Sequence, residues 1–478
     1  MFKAVACLVA VLLSAQAAYA AEPNSVKVGV LTDMSGPYAA ITGKGAVEAG
    51  NLALEDFAKE APDFKVELVT ADHQNKPDIA TGIARKWFEV ENVSMISELT
   101  TSAVALAVQK LAEDKDKIVM VSGASSSDLT GKSCSKTGFH WTYDTYALAN
   151  GTGVAIMEQG AKRWFFLTVD YAFGQALEKD VSSAVKAKGG EIVGSVRHPL
   201  NTSDFSSFLL QAQASKADVI GLANAGADLV TSIKQANEFG IGRNQRLAAL
   251  LVYITDVHSL GLNAAKNVYL TTGFYWDMNE ETRAWSKRFF ERSGVMPTMA
   301  QAGVYSSILH YLRAVKAAKT LEAGPVVSKI KATPVNDMFT TGGKVREDGR
   351  MVCTSCASRS RHSRRRPGTI MRWCGPSKAT THSAPCLRGI ARSSPSERSN
   401  FHDGRSLPID RVHGVTIRHQ AALAVALSEN SVRLGHHDPG VAESDRAPAS
   451  EPDPRPAISG WDVSRRNHNA RLRPGGAA

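Results

Sequence analysis

The sequence predicts an α/β protein with two Rossmann-like lobes, each a parallel sheet wound on both faces by helices. From Val26 onward short β-rich runs alternate with helical stretches, and parallel strands need such crossover helices to bring the chain back. The rhythm restarts near Leu148, giving two successive βα series of similar size. A content of 43% hydrophobic and 7% aromatic residues in 478 suits a large α/β core spread over two or three domains.

The elements follow from periodicity. Val26–Leu31 reads as a buried strand, Gly43–Lys59 as a helix, Lys65–Ala71 as a second strand and Ile79–Val90 as the next helix. Met95–Ser97, the Ala103–Glu113 helix and Ile118–Val121 complete the first series. The second runs through a helix over Leu148–Gln159, a strand at Trp164–Leu167, a helix over Gln175–Lys188 and a strand at Glu191–Val196. A helix over Phe205–Ala214, a strand at Asp218–Leu222 and a helix over Ala227–Asn237 then follow. After Val268–Leu270, helical spacing recurs over Glu280–Arg292 and Ala300–Ala318, and Gly342-Gly343 marks a turn into closing strands.

Two segments do not belong to this rhythm. Residues 1–20 carry Lys3, an apolar run Ala4–Leu13 and small residues at Ala18 and Ala20, the pattern of a cleavable secretory signal. Past Val352, Ser, Arg, Pro and His dominate. Residues 353–478 hold 20 Lys+Arg against 10 Asp+Glu, which accounts for the whole net charge of +10. Such a composition predicts disorder. Cys353-x-x-Cys356 with Cys374 and Cys386 has the wrong second spacing for a zinc site. Arg364-Arg365-Arg366 could attract nucleic acid, which an exported chain would rarely meet.

Four segments, in this order, closely resemble the extracytoplasmic solute-binding proteins of branched-chain amino acid ABC transporters, the leucine/isoleucine/valine-binding family. They are Gly29–Tyr38, Ser122–Thr130, Asp170–Gly174 and Gln301–Ser306. The resemblance spans about 26–352. It implies a type I periplasmic binding protein fold, with two lobes joined by a three-crossing hinge and ligand in the interlobe cleft. The implied lobes are 21–145 with about 273–330, and 146–272 with about 331–352. The implied role is a monomeric periplasmic receptor that delivers a small organic ligand to an inner-membrane permease, without nucleic acid. A periplasmic sensor of the same fold would read identically.

A buried ligand carboxylate must be met by donors, and hydroxyls with backbone N–H groups at helix starts supply them. Thr101 and Ser102 open the Ala103 helix, and Ala124 and Ser126 form the comparable turn after the next strand. Standing alone these residues read equally as helix caps; the resemblance implies that they bind ligand. It also implies Tyr38, Tyr143, Tyr171, Phe173, Asn224, Gly226 and Tyr275 as cleft residues. Phe274–Asp277 either lines the pocket or packs the hinge.

One departure bears on the ligand. Amino-acid-binding relatives carry a carboxylate before the Tyr253 region to pair with the substrate ammonium, whereas this chain reads Ala248-Ala249-Leu250-Leu251-Val252 there. Asp228 either replaces that acid or is a solvated acid at a helix start. An aromatic or other organic acid is therefore an alternative to an amino acid. Enzymatic motifs are lacking: Gly43-Lys44-Gly45 has neither dinucleotide nor P-loop spacing, and no Gly-x-Ser-x-Gly or His-Glu-x-x-His occurs. No cofactor or metal is expected.

The tail has an explanation in the genetic code. Codons permitted for Pro367–Pro385, read from the third base, give a string beginning Trp-Asp-Tyr-Tyr-Glu-Val-Val that resembles the family's C-terminal end. Continuing through Cys386–Glu397 reaches a stop. The expectation is a one-base frame shift just after Val352, which also removes a cysteine able to partner Cys134. Independent resequencing that finds one intact frame would contradict it.

Overall fold

The computed structural model describes residues 22–265 and 268–353, together with the backbone of Met371–Arg372. The signal segment and the rest of the tail lie outside the described residues. Strands β1 (Ser25–Thr32), β2 (Lys65–Asp72), β3 (Met95–Glu98), β4 (Ile118–Val121) and β5 (Gly138–His140) form one sheet in the order β2-β1-β3-β4-β5. Every neighbouring pair in it is parallel. Helices α1 (Gly43–Glu60), α2 (Pro77–Glu89) and α3 (Ser102–Asp114) make the crossovers. β3 and β4 are buried at every residue, as expected of central strands covered on both faces.

The second lobe repeats the design. β6 (Arg163–Val169), β7 (Glu191–His198), β8 (Val219–Ala223) and β9 (Arg246–Ala249) pair in parallel in the order β7-β6-β8-β9. The chain enters this lobe through α4 (Thr145–Leu148), a π-helical turn at Ala149–Gly153 and α5 (Val154–Met157). Helices α6 (Ala172–Ala187), α7 (Ser206–Ala214), α8 (Gly226–Glu238) and α9 (Ile254–Ala264) connect the strands and lead to β10 (Leu270–Thr271).

From β10 the chain crosses back to the first lobe as α10 (Glu280–Ser293), α11 (Met299–Ala318) and α12 (Ala323–Ala332). Most of α11 is buried on all sides, which explains its apolar and small composition. Its start is fixed by a reciprocal cap: Thr298 Oγ1 accepts from Gln301 N at 3.2 Å, and Thr298 N donates to Gln301 Oε1 at 2.9 Å. The same two side chains hold the loop after β1, because Thr298 Oγ1 donates to Ile41 O (2.7 Å) and Gln301 Nε2 to Thr42 O (3.1 Å).

The closing strands depart from the expected boundaries. β11 (Val335–Asn336), β12 (Thr341–Val345) and β13 (Met351–Val352) form an antiparallel sheet. It lies against the first lobe, not the second to which residues 331–352 were expected to belong. Ser306 of α11 donates to Asp337 (2.6 Å), and Arg350 forms a parallel bridge with His140 beside β5. The open edge next to β5 leaves ladder groups that this hairpin satisfies. Beyond it, Met371–Arg372 form a strand parallel to β10. The short β10 offers unpaired ladder groups to any nearby chain.

Candidate functional site

In doubly wound sheets ligands bind outside the carboxyl ends of strands, where the strand order reverses. Here the two lobes face each other across those ends. The cleft is lined by Tyr38, Ile41 and Thr42 after β1, Thr100 and Ser102 after β3, and Gly123 and Ser125 after β4. From the second lobe come Tyr171 and Phe173 after β6, Ala225 after β8, and Leu251 and Tyr253 after β9.

Local backbone geometry sets which residue of each turn faces inward. Glu98 and Leu99 both take positive φ, 87° and 60°, so the chain turns sharply at the end of β3 and presents Thr100 and Ser102. Ser102 begins α3, where free helix amides favour negative charge, and its Oγ accepts from Ser126 N at 3.1 Å. This contact joins the two donor turns of the first lobe. Thr100 Oγ1 accepts from Asp33 N at 3.0 Å and stands 3.1 Å from Thr42 Oγ1.

Two phenol pairs bridge the lobes. Tyr38 Oη lies 2.9 Å from Tyr171 Oη, and Tyr143 of the hinge, which donates to Gly123 O at 2.5 Å, is hydrogen-bonded to Tyr253. Burial raises all four phenols above their ordinary range, and in each pair the neighbouring hydroxyl adds to the shift of at least one member. They therefore stay neutral, and in each pair one hydroxyl donates to the other. A third bridge was not visible in the sequence. Asp180 of α6 accepts from Ser127 Oγ of the first lobe at 2.7 Å and from Thr145 Oγ1 of the hinge at 2.6 Å.

The structure brings four of the expected residues, Tyr38, Ser102, Tyr171 and Phe173, onto the cleft surface. Others stand behind it. Thr101 is the cap residue of α3, buried with its hydroxyl unpartnered. Ala124 O accepts from the His140 ring, and Ser126 Oγ accepts from Asp128 N as the cap of a short 3-10 turn. Ser125 faces the cleft instead. Asn224 is buried with its Nδ2 against His198 Nε2 (3.2 Å) and Ala225 lines the cleft in its place. Tyr275 packs against Trp276 outside the lining with rings tilted 48° apart, while Phe274 stacks on Phe339 with rings 7° from parallel, so this segment packs the hinge. Gly226, at φ 60°, lies where a Cβ would sit 2.7 Å from Pro37 O, making it a point of closest approach between lobes.

Among the described residues no charged side chain lines the cleft. Asp228, weighed above as a solvated acid or an ammonium partner, is neither. It is buried, and its two oxygens accept from Asn201 N (3.1 Å) and Thr202 N (3.0 Å). Burial outweighs these bonds and pushes its carboxyl up to about 6. Asp256 accepts from Tyr253 N (2.8 Å), and burial raises it to about 7. Asp33 is fully buried and occupied by Gly36 N, Tyr38 N and Asn75 Nδ2. Among the described residues no cluster of His, Cys, Asp and Glu could hold a metal, and no helix is long and apolar enough to cross a membrane.

Residues 25–361 match the model of the periplasmic binding protein family. The chain is 47% identical to a periplasmic binding protein from Burkholderia mallei of known structure, with a TM-score of 0.68 over 69% of this chain and 88% of that one. It is 40% identical to a branched-chain amino acid ABC transporter periplasmic ligand-binding protein from Burkholderia xenovorans, with a TM-score of 0.61 and the same two coverages. A Leu/Ile/Val-binding protein homolog 6 from Brucella melitensis is 27% identical over 286 residues, 59% of this chain and 71% of the relative. The two parallel-sheet lobes, the cleft at their switch points and these matches place the chain in the periplasmic binding protein family, as an extracytoplasmic solute-binding protein of the ABC-transporter type.

Proposed function

We propose that this receptor captures a small organic acid lacking an ammonium group, of the aromatic carboxylate class, and delivers it to a cognate membrane permease. The observation that carries the reading is the lining itself: hydroxyls, backbone amides and aromatic rings, with no carboxylate among the described residues that line it. An α-ammonium buried here would lack a counter-ion, which costs several kcal/mol, of the order of the whole affinity of a weak ligand. A carboxylate fares better. The start of α3, Ser102 and the Gly123–Ser125 turn offer N–H and O–H donors without a second buried charge, and Tyr38, Tyr171, Phe173 and Tyr253 supply ring-shaped walls.

Closure supports delivery. The lobes already meet through Tyr38–Tyr171 and through Ala227 N donating to Pro37 O at 3.3 Å, so the arrangement is the closed member of an open–closed pair whose balance a ligand shifts. A thermal-shift screen of the full chain against benzoate, 4-hydroxybenzoate and leucine tests the ligand class. Stabilisation by the aromatic acids and none by leucine is expected; stabilisation by leucine alone would overturn it.

A further inference from the structure

Glu98 ends β3 directly behind the cleft. It is fully buried, and no ion pair to it exists among the described residues. Its Oε2 accepts from Thr100 Oγ1 at 2.8 Å, and its Oε1 has no partner. That free oxygen lies under Gly123, so close that a side chain at position 123 would collide with it. Thr100 and Gly123 both line the cleft, so one backbone residue and one hydroxyl separate this carboxyl from the ligand.

The groups around it offer no positive charge. Asp33, from the loop after β1, is a second carboxyl, and Tyr143 and Tyr253 are the neighbouring phenols of the hinge and the second lobe. A lone carboxylate sealed from water without a cation is among the most costly arrangements a protein can hold, and such groups neutralise instead. The left-handed backbone at Glu98 adds strain at this position, of the kind that accumulates at ligand sites.

We propose that Glu98 is held as a neutral carboxylic acid behind the cleft floor and that this proton is required for binding an organic anion. Ionised, Glu98 would set an uncompensated negative charge against the ligand carboxylate; neutral, it leaves the helix amides and hydroxyls unopposed. This deepens the reading of the cleft as an organic-acid site and rests on it. In keeping with the geometry, burial pushes the Glu98 carboxyl up to about 8, outweighing hydrogen bonds from the Thr100 and Thr32 hydroxyls and the Thr100 amide.

The test pairs a ligand-free readout with a binding one, on the full chain and on Glu98→Gln, which keeps shape and neutrality. Infrared difference spectra at pH 7 should show a protonated-carboxyl C=O band in the wild type that Glu98→Gln lacks and that disappears as pH rises past about 8. Benzoate affinity of the wild type should then fall by about tenfold per pH unit above that point relative to Glu98→Gln; the comparison cancels titration of Asp228 and Asp256. Asp256, raised to about 7, contributes its own band at pH 7, so Asp256→Asn is the background in which the wild-type Glu98 band is titrated past about 8 should Glu98→Gln fail to fold. Absence of the band overturns the proposal, and a band with no difference in the pH dependence of affinity overturns the coupling. A band with no benzoate binding at any pH refutes the organic-acid reading, and the coupling with it, while leaving Glu98 neutral.

Discussion

The hydroxyl of Tyr38 in the first lobe meets the hydroxyl of Tyr171 in the second at 2.9 Å. Under the closure proposed above the bond forms only in the closed arrangement, so its free energy enters ligand affinity through the closed population. A net hydrogen bond is worth about 1 kcal/mol. Tyr171→Phe should weaken benzoate binding by about fivefold, Tyr38→Phe should do the same, and the double variant should be no weaker than either single one. Calorimetric titration of the three variants checks this. Additive losses would show that the two phenols contact ligand independently.

Gly226 sits at φ 60° with Pro37 O and Tyr38 Cδ1 within 3 Å of where a Cβ would stand, at 2.7 and 2.9 Å. Gly226→Ala adds the cost of a left-handed non-glycine residue, about 1 kcal/mol, and obstructs closure. A fall in affinity of more than about tenfold is expected, with small-angle scattering showing a more open particle at saturating benzoate. An unchanged closed profile would mean that the lobes adjust around the methyl group.

Arg350 joins the closing hairpin to the hinge. Its Nε donates to Asp144 Oδ2 at 2.7 Å, and its guanidinium also reaches His140 O (3.1 Å) and Thr142 O (3.2 Å). Burial alone would raise Asp144, but the Arg350 charge holds it below the ordinary carboxylate range. Removing one partner of a buried pair leaves the other charge uncompensated, so Arg350→Ala should cost about 3 kcal/mol, read as a loss of denaturation midpoint in urea. A loss under about 1 kcal/mol would place the pair among ordinary surface bridges.

Acid should loosen the first lobe. Burial would raise Asp56 of α1, but hydrogen bonds from Arg288, Lys59 and Tyr305 bring it down to about 2. An unfolded carboxyl titrates near pH 4, so the folded state binds its proton later. The contribution is complete above about pH 4 and is lost as pH falls toward about 2. The melting temperature of Asp56→Asn should therefore differ from the wild type near neutrality and converge with it below about pH 2.

The alternation of strand and helix was legible because each element has its own period, and the strands of both sheets fall where periodicity puts them except at β5 and β9. β5 has only three residues, too few to show a period, and β9 reads Arg-Leu-Ala-Ala, without the β-branched or aromatic residues that mark a strand. Within the cleft, consecutive polar residues marked the right turns but not the right member. Ser125 faces the ligand space and Ser126 caps a turn because the backbone path after β4 decides between them, and two adjacent serines carry no local signal for it. Tyr38 and Tyr171 stood out beside turn-forming Gly-Pro and Phe-Gly pairs. Asp180 and Glu98 did not, since an acid within a helix or at a strand end looks solvated until tertiary packing encloses it. The closing hairpin was assigned to the wrong lobe for the same reason: its partners, His140 and Ser306, are distant in sequence.

The central claim is that the cleft accepts a carboxylate and has no place for an ammonium group. Calorimetric titration of the full chain at pH 7 with benzoate and with leucine tests it most directly. Saturable one-to-one binding of benzoate with no heat from leucine is the predicted result. Saturable binding of leucine, with benzoate silent, would contradict it.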